Sequence, residues 1–151
     1  MTIDNLFILA FVIHVYACTF MTGVIWIIQL VHYPMFKDLE LSTFNHAMKR
    51  HQKGMSKVVL AIMLIELFSG VALITLMKGI NLAVIINLLI LVVIWVITFL
   101  VSVPCHSRLL VTKSSDTINR LVLTNWPRTL LWSGRSLCLM YFLTSYLVVT
   151  L

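Results

Sequence analysis

Four long apolar segments dominate this sequence and limit what the chain can fold into. They cover residues 6–28, 58–77, 82–103 and 129–151 of a chain of 151 residues. A helix needs roughly 20 mostly apolar residues to cross a hydrocarbon core of ~30 Å, and backbone groups in lipid must be paired within the segment. The sequence therefore predicts an all-α membrane protein, in which residues 1–151 form a single domain built as a bundle of four transmembrane helices.

The composition points the same way. Hydrophobic residues make up 61% of the chain and charged residues 11%, which exceeds the apolar share of an ordinary soluble domain, about half. The net charge of +6 is better explained by anionic lipid on the cytoplasmic side than by nucleic acid. Residues 1–5 contain Asp4 and no Lys or Arg, so we do not expect a cleaved signal peptide.

Basic residues are distributed unevenly between the connections. The connections after the first and third segments hold nine of the eleven Lys and Arg residues; the other two are Lys78 and Arg135. Positively charged loops are retained in the cytoplasm. We therefore expect both long connections in the cytoplasm and both termini outside.

The two long connections carry helical patterns of their own. In the first, Ser42 is a candidate helix cap, and Gly54 is a candidate turn into the second apolar segment. In the second, a short helix is expected to start at residues 114–115, with Pro127 in the first turn of the last helix. The sequence thus predicts short amphipathic helices in both cytoplasmic connections.

Polar residues inside the apolar segments fall on shared helix faces. Glu66 and Arg135 each lie eight residues from the cytoplasmic end of their helix, which corresponds to a depth of about 12 Å. A charge near the bilayer centre costs at least ~2.5–3.5 kcal/mol, so equal depth predicts a buried ion pair. That pair either carries the function or only fixes the helix register. His14 either extends a proton path or is satisfied by a hydroxyl of the third segment.

Four of the five histidines are expected near the cytoplasmic side, namely His32, His46, His51 and His106. Histidine is the commonest transition-metal ligand and the proton carrier nearest to neutral pH. His46 and His51 are five residues apart, not at the i, i+4 spacing of a helical zinc motif. The sequence therefore assigns no metal site. A haem or a transition metal bound by some of these four residues stays an open alternative.

Polar residues also approach the cytoplasmic boundary of the membrane, where we expect them to surround a pocket for a small molecule. Arg135 is expected as its floor, and the helix that carries His46 and His51 as its lid. The residues expected around this pocket are Gln29, His32, His106, Asn125, Arg128 and Trp132.

These residues belong to motifs that continue along nearly the whole chain. They are Gln29-Leu-Val-His32-Tyr33-Pro34, then Phe44, His51 and Glu66, then Pro104-Cys-His106-Ser-Arg-Leu109, and finally Asn125-Trp126-Pro-Arg128-Thr129 with Trp132 and Arg135. In these motifs the chain resembles a group of small, uncharacterised bacterial four-helix membrane proteins. More distantly it is similar to the anthrone-oxygenase-like membrane family. The resemblance implies a multi-pass protein of the bacterial cytoplasmic (inner) membrane and an oxidative reaction.

Three functions are compatible with this pattern, and we place a membrane enzyme first. Its substrate would be a lipid-soluble small molecule, such as a quinone- or polyketide-like aromatic. The alternatives are a proton-coupled transporter, which in a chain this short requires a homo-oligomer, and a haem- or metal-binding subunit of a larger assembly. The candidate catalytic residues are Glu66, Arg135, His106 and His32, and the candidate ligand-binding residues are Gln29, Tyr33, Asn125, Arg128 and Trp132.

Overall fold

A computed structural model describes the backbone of residues 2–150 and the side chains of residues 2–145. Helices form nearly all of this part of the chain, and it contains no β-strand. The prediction of an all-α protein is therefore confirmed. The α-helices are α1 (Ile3–Ile27), α2 (Tyr33–Asp38), α3 (Leu41–Leu76), α4 (Leu82–Ile97), α5 (Val103–Val111) and α6 (Ser115–Thr150).

Two π-helical turns, Ile28–His32 and Thr98–Ser102, join α1 to α2 and α4 to α5 without a break. Each turn is closed by a backbone hydrogen bond between residues five apart. Pro34 and Pro104 follow these turns by two residues. Because proline has no N–H and its ring clashes with the carbonyl four residues back, the wider turn lets each helix continue past it.

The helices pack as a bundle of four long helical segments, namely α1 with α2, α3, α4 with α5, and α6. Helix α3 lies along α1, and α6 packs against α1, α4 and α5. Three continuous helices, Ile3–Asp38, Leu41–Leu76 and Leu82–Val111, are long and apolar enough to cross a membrane. Their outer surface carries large apolar side chains, and extensive exposed apolar surface marks an interface with lipid or protein. Residues 146–151 of the fourth predicted segment lie outside the described side chains.

The bundle is longer than a membrane is thick. Helices α3 and α6 each contain 36 residues, which is about 54 Å at 1.5 Å per residue, against a hydrocarbon core of ~30 Å. The extra turns lie at the end that carries the basic connections. The apolar core of the bundle continues into this end through the fully buried Phe36, Phe44, Met48, Leu109 and Leu121.

The prediction of separate short helices in the two long connections is wrong. Both segments are helical, but they are continuous with the long helices α3 and α6. Helix α3 begins at Leu41 rather than after a Ser42 cap and runs through Gly54. Helix α6 begins at Ser115, which confirms the start predicted at residues 114–115, but it runs through Pro127. An interior glycine costs a helix only about 1 kcal/mol, and burial of apolar side chains along the extended helices outweighs that cost.

Candidate functional site

Glu66 and Arg135 form an ion pair in the middle of the bundle. Glu66 comes from α3 and Arg135 from α6, and both side chains are completely buried. The Arg135 Nη1 donates to Glu66 Oε1. The second carboxylate oxygen, Oε2, accepts a hydrogen bond from Trp132 Nε1 at 3.2 Å. Both oxygens of Glu66 therefore have a partner, as a buried carboxylate requires.

Asn87 of α4 binds the other edge of the Arg135 guanidinium. Arg135 Nε lies 3.1 Å from the Asn87 carbonyl oxygen and 3.2 Å from Asn87 Oδ1, and Nη2 lies 2.9 Å from Oδ1. These contacts orient the Asn87 amide, because an oxygen and not a nitrogen must face the arginine donors. Among the described residues, the Asn87 Nδ2 group then has no hydrogen-bond acceptor.

His14 of α1 completes the network. Its Nδ1 lies 3.0 Å from the Glu66 carbonyl oxygen and 3.0 Å from Ser69 Oγ, while Nε2 lies 3.3 Å from Arg135 Nη2. A carbonyl only accepts and a guanidinium only donates. Nε2 also lies 3.3 Å from Asn87 Oδ1, which only accepts, so both neutral tautomers are compatible with these contacts. Gly70 lies against this ring and against Leu88 of α4, since a Cβ there would clash with Leu88 Cδ2 and lie 3.2 Å from His14 Cε1.

A cavity of about 490 Å³ reaches this network from the end of the bundle opposite the basic connections. It lies between the first half of α1, the first half of α4 and the second half of α6. Most of its wall is apolar, and at its inner end it is lined by His14, Asn87 and Arg135. The other wall residues include Phe7, Phe11, Val84, Leu88, Gly134, Leu139 and Phe142.

A second group of polar residues lies nearer the basic end. Asn125 Nδ2 donates to Gln29 Oε1 at 2.8 Å, and Asn125 Oδ1 accepts from Arg128 Nη1 at 3.1 Å. Arg128 Nη1 also donates to Ser102 Oγ at 2.9 Å. The guanidinium carbon lies 5.4 Å from the centre of the Trp132 ring, within the range of a cation–π contact. Trp132 therefore connects Arg128 to the Glu66–Arg135 pair, through its ring and through its hydrogen bond to Glu66.

Three of the four candidate metal-ligating histidines meet beside Arg128. The ring centres of His32 and His51 are 5.3 Å apart, and those of His51 and His106 are 5.8 Å apart. Tyr33 Oη lies 3.1 Å from His106 Nε2. His46 is exposed on α3, away from this cluster. Within the described part of the chain, no three His, Cys, Asp or Glu side chains are placed to hold a metal ion.

A smaller cavity of about 120 Å³ opens beside these histidines. Of the six residues expected around a pocket, His106 and Arg128 line this cavity, together with Tyr33 and His51. Gln29, Asn125 and Trp132 are instead packed in the interior, at 2% exposure or less. Arg135 lines the larger cavity and not this one. The residues that were expected to form one pocket therefore line two separate cavities or lie packed between them.

Sequence reasoning missed the larger cavity and the roles of Asn87 and Ser69. Asn87 is the one amide between residues 82 and 103, a signal that could have marked it as a partner of a buried charge. His14 finds its partners on α3, α4 and α6 rather than on a hydroxyl of the third apolar segment. No known family, curated protein or solved structure matches this chain.

Proposed function

We propose that this chain is a four-span protein of the bacterial cytoplasmic membrane that binds a lipid-soluble molecule in the larger cavity. The observation that carries this proposal is an apolar cavity of about 490 Å³ that ends on a buried ion pair. Small-molecule sites typically have volumes of about 300–1,000 Å³, apolar walls and a few convergent polar groups. A molecule with an apolar body and one polar end matches this combination.

The polar end of the ligand would be recognised by Asn87 and Arg135. The Nδ2 group of Asn87 is oriented by Arg135 and has hydrogens free for an acceptor. A carbonyl or phenol oxygen accepts such hydrogen bonds. Arg135 would hold this amide in place, since its Nε and Nη2 bind Asn87 Oδ1 and its charge is already paired with Glu66. A quinone or a polyketide-like aromatic has such an oxygen at the end of an apolar ring system.

His14 is the group best placed to exchange a proton with that ligand. It lines the cavity, and its neutral form has one protonated and one unprotonated ring nitrogen. Beside the oriented Asn87 amide, this supports a proton-transfer reaction on the bound aromatic.

The distribution of basic residues supports an orientation in which the larger cavity lies in the outer half of the membrane. The connections at the other end of the bundle carry nine Lys and Arg residues and would face the cytoplasm. Both termini would then be outside. In this arrangement a lipid-soluble ligand enters the cavity sideways from the bilayer rather than from the cytoplasm.

Filling the cavity tests the proposal. A Cβ on Gly134 would meet no atom within 4 Å, and Gly134 lies in the cavity wall. We expect Gly134→Leu to occupy ligand space without a clash and to reduce the bound lipid-soluble compound at least tenfold. The measurement is mass spectrometry of organic extracts of the purified protein, with compounds quantified per chain.

Gly23→Leu is the matched control. Gly23 also lies within a helix, is exposed and has open space beyond its Cα, but it does not line the cavity. This variant should retain the wild-type amount of bound compound. Equal amounts in the Gly134→Leu and Gly23→Leu proteins would show that the cavity is not the binding site.

A further inference from the structure

The buried polar network contains one positive charge more than it contains negative charges. Glu66 is paired with Arg135, which leaves Arg128 without a carboxylate partner among the described residues. Arg128 is only 3% exposed. A buried charge without a counter-ion is strongly unfavourable, because it has lost its hydration and gained no opposite charge. The imbalance points to an anion that is not part of the polypeptide.

The unused donors of Arg128 lie along one edge of its guanidinium. Its Nη1 hydrogens go to Ser102 and Asn125. The Nε atom is buried and has no hydrogen-bond partner among the described residues. Elsewhere on the guanidinium, the Tyr33 hydroxyl is close enough to accept a hydrogen bond. The Nε and Nη2 hydrogens point in nearly the same direction, and this edge binds carboxylates and phosphates through two parallel hydrogen bonds.

The smaller cavity provides the space for such an anion. Arg128 lines it, as do Ser102, whose hydroxyl can donate, and Tyr33, whose hydroxyl lies 3.1 Å from His106 Nε2. His51 and His106 form another part of the wall. The volume of about 120 Å³ suits a single charged group rather than a whole lipid-soluble molecule.

We infer that Arg128 and the smaller cavity bind one oxyanion group, a carboxylate or a phosphate. This site is separate from the larger cavity and does not depend on the function proposed for it. The oxyanion belongs either to a free anion from the cytoplasm or to the headgroup of an anionic lipid, since both present the same chemistry to the arginine.

The test is the thermal stability of the full-length protein in two settings. In phosphatidylcholine nanodiscs, inorganic phosphate or acetate replaces chloride at constant ionic strength. In a parallel series in chloride, phosphatidylglycerol replaces part of the phosphatidylcholine. A ligand that binds only the folded protein raises Tm in a saturable way. A rise with phosphate or acetate identifies a free anion, and a rise with phosphatidylglycerol alone identifies a lipid headgroup.

Arg128→Lys keeps the charge but loses the two parallel N–H donors of the guanidinium. We therefore expect the apparent affinity for the anion to be at least tenfold weaker. The matched control is Arg120→Lys, because Arg120 is exposed on the same helix, and it should behave as wild type.

If Arg128→Lys does not fold, Ser56→Phe replaces it. Ser56 is an exposed residue of the cavity wall, and the larger side chain should close the cavity and abolish the rise in Tm. No saturable rise in either setting, or an equal rise in the variants and the control, would overturn the inference.

Discussion

Arg135 joins all four long helices through a single guanidinium group. It extends from α6 and contacts Glu66 on α3, Asn87 on α4 and His14 on α1. The carboxylate of Glu66 neutralises its charge, and the oxygens of Asn87 accept hydrogens from its Nε and Nη2. Such a pair adds little net stability over apolar residues, but the loss of one partner leaves a buried charge. At the scale of the residue, the pair therefore specifies how the helices meet.

This account predicts a non-additive response to mutation. Arg135→Leu alone should destabilise the protein by about 3–5 kcal/mol, because Glu66 is left charged in the interior. Adding Glu66→Leu should recover most of that loss. The measurement is unfolding in mixed micelles with increasing sodium dodecyl sulfate. Lys78→Leu serves as a control, since its pair with Asp4 is exposed and should contribute less than about 1 kcal/mol. A double mutant no more stable than Arg135→Leu would exclude a pairwise role.

The partnership of Glu66 and Arg135 could be predicted because it depends only on depth, which follows from the helical rise and the count of residues. The partners of Asn87 and Gln29 could not be predicted in the same way. They depend on how each helix is rotated about its axis and on how closely the helices approach. Gly70 illustrates this, because a Cβ at that position would clash with Leu88 of α4 and crowd the His14 ring of α1.

At the scale of the element, the observed helices differ from the predicted ones because they are not interrupted. Glycine and proline in α3 and α6 predict helix ends, yet both helices continue to a length of 36 residues. The apolar face on either side of Gly54 remains in phase, with Met48 and Met63 both buried. Local preference predicted a break, whereas packing over the whole length of the helix favours continuity. At Pro34 and Pro104 the proline also disfavours a helix while packing favours it, and a π turn before each proline lets the helix continue.

Substitution of glycine distinguishes a continuous helix from a turn. Gly54 lies inside α3, and a Cβ there meets no atom within 4 Å, so Gly54→Ala should stabilise the protein by about 1 kcal/mol. Gly79 has φ of 82° in the connection after α3, so Gly79→Ala should destabilise it by about 1–2 kcal/mol. Thermal unfolding measures both. A loss of stability in Gly54→Ala would indicate that α3 turns at this residue.

At the scale of the whole molecule, two cavities lie on either side of the buried ion pair. The larger one is apolar and reaches Arg135, and the smaller one has histidine and hydroxyl side chains in its wall and reaches Arg128. Trp132 lies between the arginines, donating to Glu66 while its ring faces Arg128. The polar residues of both sites could be selected from the sequence, because charges and amides are rare in apolar helices. The cavities could not be predicted, because empty space depends on helix spacing.

The central claim is that the larger cavity and the buried ion pair form one binding site for a lipid-soluble molecule. A crystal structure of the protein grown from a lipid phase tests this claim most directly. The account predicts density that fills the cavity beside Gly134, with a polar atom within hydrogen-bond distance of Asn87 Nδ2. A cavity closed by its own side chains, or filled by an acyl chain with no polar atom near Asn87 or Arg135, would contradict it.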